Sequence, residues 1–348
     1  MVRWLNFNSK KIVIITCFFI ILSFVLFCIN LLKEKFWGET NIEIKKDEKM
    51  KEESYDIDYK EESTINVKIT STNEVIAMDI NDYLRGVLPS EMPPYYEIEA
   101  LKAQAIIART YLYRKINDGG HEAGVDICDN FAHCQAFYNK EKILQIWEQK
   151  GYDESTRKEF WKRVNQAVVE TSGQTVRYNG EYIKAFFHAS SPNKTEDVSQ
   201  IWGGASYPYL KSVENEEEED YPNRTSRVEI SKDDLLSKID SIDESRYNID
   251  DIQSLDIHIA DYTTSGRVKN IEVCGCKIKA EDLRTYFGLK STDFTIEING
   301  QNVVFNVTGY GHGVGMSQVG ANYYAKQGKT AEEIIKHYYT GVDVVSSK

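Results

Sequence analysis

With 348 residues and a formal net charge of −12, the chain is long enough to bury one large core or two smaller ones. The acidic balance excludes a role in gripping nucleic-acid phosphates, which takes a basic face, and leaves a neutral or weakly charged polymer such as a sugar chain open. Much of the excess sits in residues 39–62 and in Glu214–Asp220, which read as solvated segments.

Ile12–Leu32 is an apolar run without a charge. At ~1.5 Å per residue it spans roughly 30 Å, the thickness of a bilayer core. Arg3, Lys10 and Lys11 precede it and no small-x-small cleavage site follows, so it reads as an uncleaved anchor with a cytosolic N-terminus. The expected organisation is a cytosolic residues 1–11, a transmembrane 12–32, a flexible charged stalk over 33–63 and a folded extracytoplasmic domain over 64–348.

The folded part opens with strand character at Asn66–Ile69 and Val75–Ile80, separated by the turn-forming Ser71-Thr72-Asn73. Leu88-Pro89-Ser90-Glu91-Met92-Pro93-Pro94 then holds one carboxylate in proline-stiffened backbone. A helix is expected from Ile98 to Ile116, with Ile98, Leu101, Ala105, Ala108, Leu112 and Ile116 on one buried face. Glu91 reads either as a group presenting a single proton or as a charge complementing the positive end of that helix.

His121, Cys128, His133 and Cys134 bring two imidazoles and two thiols into one short loop, a set that suits tetrahedral zinc. A Cys128–Cys134 disulfide, favoured by an exported location, is the alternative. Four protein ligands would make the site closed and structural; a water in the fourth place would open it. Cys274 and Cys276 flank a glycine in an apparent strand and read as packed or free thiols on one face.

Farther along, Glu159–Thr171 reads as a helix, and Thr175–Ile183 as a hairpin turning at Asn179-Gly180. The strand Ala185–His188 opens into small polar residues, Ser190 and Ser191 among them, in the kind of strand-end loop that often carries function. Trp202 and Tyr207 lie in a Gly/aromatic loop whose ring faces would stack on sugars. A helix start is expected at Ser231–Asp234, and a short helix over Ala280–Phe287 ending at Gly288. Near the C-terminus, Gly309–Gly315 alternates glycines and leads through Met316, Ser317 and Gln318 into a helix around Ala321–Ala325; a last helix, Thr330–Tyr339, stops at Gly341.

These blocks together resemble the stage II sporulation protein D family: Pro89–Pro93, Ala100–Ala105 with Ala108–Tyr111, Phe187–Ser191, Trp202–Gly204, Gly311–Gln318 and His337–Gly341, in that order over about Ile65 to Val342. The resemblance implies an α+β fold with two lobes around a cleft, and a lytic transglycosylase. Such an enzyme cuts the β-1,4 bond between N-acetylmuramic acid and N-acetylglucosamine in peptide-stripped glycan strands. It places the catalytic role on Glu91 and a structural zinc on His121, Cys128, His133 and Cys134. His188, Ser190, Ser191, His312, Ser317 and Gln318 become candidates to line the cleft. It also implies the stage II sporulation proteins P and M as partners at the mother-cell membrane during engulfment. Ser190-Ser191-Pro192-Asn193 stands where members often have Ser-Gly-Gly after the histidine. Two other readings are a non-catalytic wall-binding activator of an amidase and a zinc-dependent wall amidase.

Overall fold

A computed structural model describes residues 63–204, 206–240 and 255–346. The expected anchor at 12–32 and nearly all of the stalk lie outside them, and no helix among the described residues is long and apolar enough to cross a membrane. The mixture of helices and mainly antiparallel strands is the expected α+β class.

Strands β1 (Thr64–Ile69) and β2 (Glu74–Asp79) pair antiparallel, with Val67 opposite Ile76, and the chain reverses where Asn73 takes φ 60°. Asp79 then caps α1 (Ile80–Glu91), its side chain accepting from the Asn81 N–H. The sequence reading treats residues 81–86 as a lead-in to a turn. The structure makes them helix, because Ile80, Tyr83, Leu84, Val87 and Leu88 recur at helical spacing and are all buried. Glu91 therefore ends a helix rather than facing the start of one. The next helix, α2 (Ile98–Asn117), matches its expected span. It is not one-faced: Ala100, Ile107, Arg109 and Thr110 are as buried as Leu101 and Ala108, as befits a helix surrounded by protein.

A loop leads to β3 (Ile127–Cys128), which adds parallel to β1. Helices α3 (Lys140–Gln149) and α4 (Glu154–Glu170) follow, then the hairpin β4 (Gln174–Tyr178) and β5 (Glu181–Tyr182). Its turn has Asn179 at φ 50° and Gly180 at φ 84°, the geometry an Asn-Gly pair favours. Strand β6 (Phe187–His188), β7 (Asn193–Lys194), the single turn α5 (Val198–Ile201) and β8 (Glu214–Asn215) complete this part.

The chain then builds a second core. Strand β9 (Thr225–Ser231) leads into α6 (Lys232–Asp240), where Ser231 accepts from the Asp234 N–H. Strands β10 (Ile257–Tyr262), β11 (Val268–Val273) and β12 (Cys276–Lys279) form an antiparallel sheet. Helix α7 (Ala280–Phe287) stops at Gly288, φ 64°; β13 (Asp293–Asn299) then pairs with β14 (Asn302–Thr308), which pairs in turn with β9. Leu235, Ile271, Val273, Leu283 and Phe305 fill this cluster, which is separate from the one around α2. Cys274 departs from expectation. It lies with Gly275 in the β11–β12 turn at φ 48°, and only Cys276 is in a strand.

The C-terminal stretch returns to the first core. Strand β15 (Met316–Ser317) pairs parallel to β6, and Ser317 caps α8 (Gln318–Lys326), accepting from the Gly320 N–H at 3.1 Å. Thr330 and Glu333 form a capping box on α9 (Ala331–Tyr338), and β16 (Asp343–Ser346) closes against β4. Helices α1, α4, α8 and α9 all pack on α2, so the N-terminal and C-terminal sequence blocks meet on one central helix.

Candidate functional site

Pro89 lies within the last turn of α1 and Met92 closes it, its N–H donating to the Leu88 carbonyl at 2.9 Å. Two distant side chains pin the backbone that follows. Arg163 of α4 donates to the carbonyls of Pro94 and Tyr96, and Asn322 of α8 accepts from the Glu97 N–H at 2.8 Å. Glu91 is thus held by contacts well away from its own sequence block.

Its carboxyl is largely sequestered, and Oε1 accepts the Ala136 N–H at 3.1 Å. Burial pushes its pKa up from 4.5 to about 7, the Ala136 bond opposing that rise in part, and among the described residues no neighbouring carboxylate contributes. The helix carbonyls at the end of α1 act in the same direction as burial. The charge on Glu91 bears on the phenols of Tyr83 and Tyr111, both raised chiefly by burial.

Ala136 belongs to the loop expected to hold a metal. Donor atoms of His121, Cys128 and Cys134 lie within 4.8 Å of one another, with Cys134 Sγ 3.6 Å from His121 Nδ1. Zinc–sulfur and zinc–nitrogen bonds of about 2.3 and 2.05 Å at a tetrahedral angle would set their ends about 3.6 Å apart, so these residues fit the ion. Cys128 and Cys134 are free thiols. His133 is exposed, its ring centroid 6.0 Å from that of His121, and it is not among the three convergent donors. Past the ligands, the Phe137 ring and the Tyr138 carbonyl press so closely on Gly86 of α1 that a Cβ there would lie 2.4–2.5 Å from them. The loop therefore packs directly on the helix that carries Glu91.

Gln318 donates to Gln104 of α2 at 3.4 Å. Gln104 and Tyr111 are two turns apart on the same face of α2, about 10 Å along its axis, which sets the start of α8 on the Glu91 side of that helix. His188 is buried, with Nδ1 3.2 Å from the Val314 carbonyl and Nε2 unpartnered among the described residues. His312 accepts the Val314 N–H on Nδ1 at 3.1 Å. Burial drives the His188 imidazole well below its ordinary pKa and that of His312 down to about 3, so both rings are neutral at neutral pH.

The three serines expected to line a cleft have their hydroxyls engaged inside the protein. Ser190, Ser191 and Ser317 are fully buried. Ser190 Oγ and Ser317 Oγ donate to Glu217 at 2.5 and 2.6 Å, the Ser191 N–H donates to it at 2.6 Å, and Ser191 Oγ donates to the Lys194 carbonyl. Asn215 Nδ2 adds a bond to Glu217 at 2.8 Å. The acidic run Glu214–Asp220 is therefore not wholly solvated: Asn215 and Glu217 are buried and join β6 to the start of α8. Sequence reasoning missed Glu217, Arg163 and Asn322; only the single Asn215 interrupting the acidic run hinted that it has an inner face.

A family model described as Stage II sporulation protein matches residues 68–178, the stretch from β1 through Glu91 and the cysteine loop to β4. The chain is similar to stage II sporulation protein D of Bacillus amyloliquefaciens, 33% identical over 81% of this chain and 79% of that one. It is also similar to the protein of that name from Bacillus subtilis (strain 168), 32% identical over 81% and 78% of the two chains. A more distant likeness, 26% identical over 76% of this chain and 40% of the relative, is to the amidase enhancer of Bacillus subtilis (strain 168). With a third of positions shared over four-fifths of its length, the chain belongs to the stage II sporulation protein D family.

Proposed function

We propose that the protein is a lytic transglycosylase acting on peptide-stripped peptidoglycan strands, with Glu91 as its acid and base. The observation that carries this reading is a sequestered carboxyl with its pKa at about 7 and, among the described residues, no second carboxylate perturbing it. Hydrolytic glycosidases usually need two carboxyls in fixed separation, one of them to deliver or replace water. One suffices when the nucleophile is already part of the sugar. Protonated Glu91 gives its proton to the oxygen of the β-1,4 bond as that bond breaks. The C6 hydroxyl of the muramic acid then closes on C1 and its proton passes to the Glu91 carboxylate. The product is a 1,6-anhydro ring, no water is consumed, and the acid is restored.

His121, Cys128 and Cys134 would hold zinc, with His133 or a water as fourth ligand. Bound there, the ion would supply structural cross-linking of the loop that donates the Ala136 N–H to Glu91. Neutral His188 and His312 would accept or donate hydrogen bonds to sugar groups without adding charge. The setting we propose is the outer face of the mother-cell membrane, with stage II sporulation proteins P and M as partners.

The test incubates full-length protein in detergent with peptide-stripped strands and analyses the products by mass spectrometry. Ends carrying 1,6-anhydro-N-acetylmuramic acid are expected from the native chain and none from Glu91→Gln. Reducing ends would mean water is the nucleophile and a second carboxylate acts. The likeness to an amidase enhancer favours a second reading, a non-catalytic wall-binding activator. It requires that Glu91→Gln leave function in cells intact.

A further inference from the structure

Among the described residues, Trp147 and Trp161 are buried, whereas Trp202 is 49% exposed. Its ring is not loose: centroids of Phe186 and His312 lie 4.9 and 5.1 Å away. Neutral His312 is in turn fixed by the Val314 N–H. A supported, uncharged, half-exposed indole is the surface on which the C–H face of a sugar ring stacks. On the same glycine turn, Tyr310 is 43% exposed and its backbone pairs with Ser190.

Two lysines stand beside these segments. Lys269 Nζ lies 3.4 Å from Oε1 of Gln200, which stands on α5 two residues before Trp202. Lys290 Nζ donates to Asn223 Oδ1 at 2.6 Å and sits 5.3 Å from the centroid of Tyr310, while the Lys290 carbonyl accepts the Gly311 N–H. Neither lysine forms a salt bridge among the described residues, unlike Lys211, Lys277 and Lys326, which pair with Asp197, Asp261 and Glu218. In a chain of net charge −12, ammonium groups hydrogen-bonded to amide oxygens rather than to a carboxylate suit an anionic ligand; the Lys269 charge also bears on Asp261, which is itself paired with Lys277.

Resting on the transglycosylase reading, we infer that this face is a glycan subsite selecting peptide-stripped strands by their free lactyl carboxylates. Trp202 stacks the sugar, and Lys269 and Lys290 receive the carboxylates. A strand that keeps its stem peptides has each of those lactyl carboxyls tied up as an amide, so its remaining carboxylates lie out along the peptides and away from the sugar face. A stripped strand presents one carboxylate per disaccharide. The acidic protein would repel such a polymer, and the local lysines offset that repulsion.

The test measures binding calorimetrically, with full-length Glu91→Gln protein in detergent so that strands stay uncut. The ligands are peptide-stripped strands and the same strands with their lactyl carboxylates converted to methylamides. Stripped strands should bind about tenfold more tightly at low salt, with the advantage shrinking as salt rises. Lys269→Gln/Lys290→Gln should erase that advantage and leave methylamide binding unchanged. Trp202→Ala should weaken both ligands about tenfold in protein with native circular dichroism. Equal affinity for the two ligands, or a double lysine variant that keeps the preference, would overturn carboxylate selection. Unchanged binding by Trp202→Ala would overturn the stacking role. Failure of the transglycosylase reading would show separately, as native protein that binds stripped strands selectively without cutting them.

Discussion

The raised pKa of Glu91 makes a prediction about stability that needs no substrate. Folding moves this carboxyl from 4.5 to about 7. At ~1.36 kcal/mol per pH unit, the folded protein then holds the ionised form at a cost of about 3 kcal/mol. The sign follows from proton counts. Below pH 4.5 both states are protonated and nothing is lost. Between 4.5 and 7 the unfolded chain ionises while the folded chain does not, so stability falls as pH rises. Above 7 the full cost is present. Glu91→Gln removes the charge and keeps an oxygen for the Ala136 N–H. The variant should therefore match the native protein near pH 4.5 and exceed it by up to about 3 kcal/mol at pH 8, measured by urea unfolding at several pH values. A stability difference that stays flat between pH 5 and pH 8 would show that Glu91 is not held protonated, and the acid assignment would lose its physical basis.

Cleavage should decline as pH rises through about 7, where Glu91 loses the proton it must donate; a rate that climbs steadily to pH 9 would contradict this. Denatured protein should release about one zinc per chain to a chromophoric chelator, and Cys134→Ser should abolish that release and lower the melting temperature. Glu217→Ala strips an acceptor from Ser190, Ser191, Asn215 and Ser317 and should cost at least about 3 kcal/mol in denaturant unfolding. Gly315→Ala sets a Cβ 1.9 Å from the Phe186 carbonyl oxygen at φ 74°, and should prevent folding. Gly328→Ala, at φ 85° with nothing within 4 Å, should cost only about 1 kcal/mol.

What the sequence made legible was local. The Asn179-Gly180 turn and the Gly288 stop appear where short-range signals place them, and the last helix follows Thr330. Helix α1 was legible but overlooked. Its 80, 83, 84, 87, 88 spacing is plain once Asp79 is taken as a cap, but Gly86 and Pro89 argue for a break. The site was legible only as sequence blocks. That Ser190 and Ser317 face Glu217 depends on β6 pairing with β15 across more than a hundred residues. No pattern within either block says which hydroxyl points inward. The same holds for His133, whose neighbour Cys134 turns in toward His121 while its own ring stays exposed.

A carboxyl disfavoured by burial and by the end of a helix persists only if the surrounding structure fixes it more firmly than the charge resists. Here the restraints come from separate regions of the chain. Arg163 holds the carbonyls of Pro94 and Tyr96, Asn322 holds Glu97, and the loop after Cys134 donates the Ala136 N–H. Each is anchored on a different element. That arrangement explains why matching blocks so far apart in sequence belong together. On the proposed reading, Glu91 would carry the proton, and the distant blocks would maintain the burial that lifts its pKa to about 7, where it could give that proton up near neutrality and take another back.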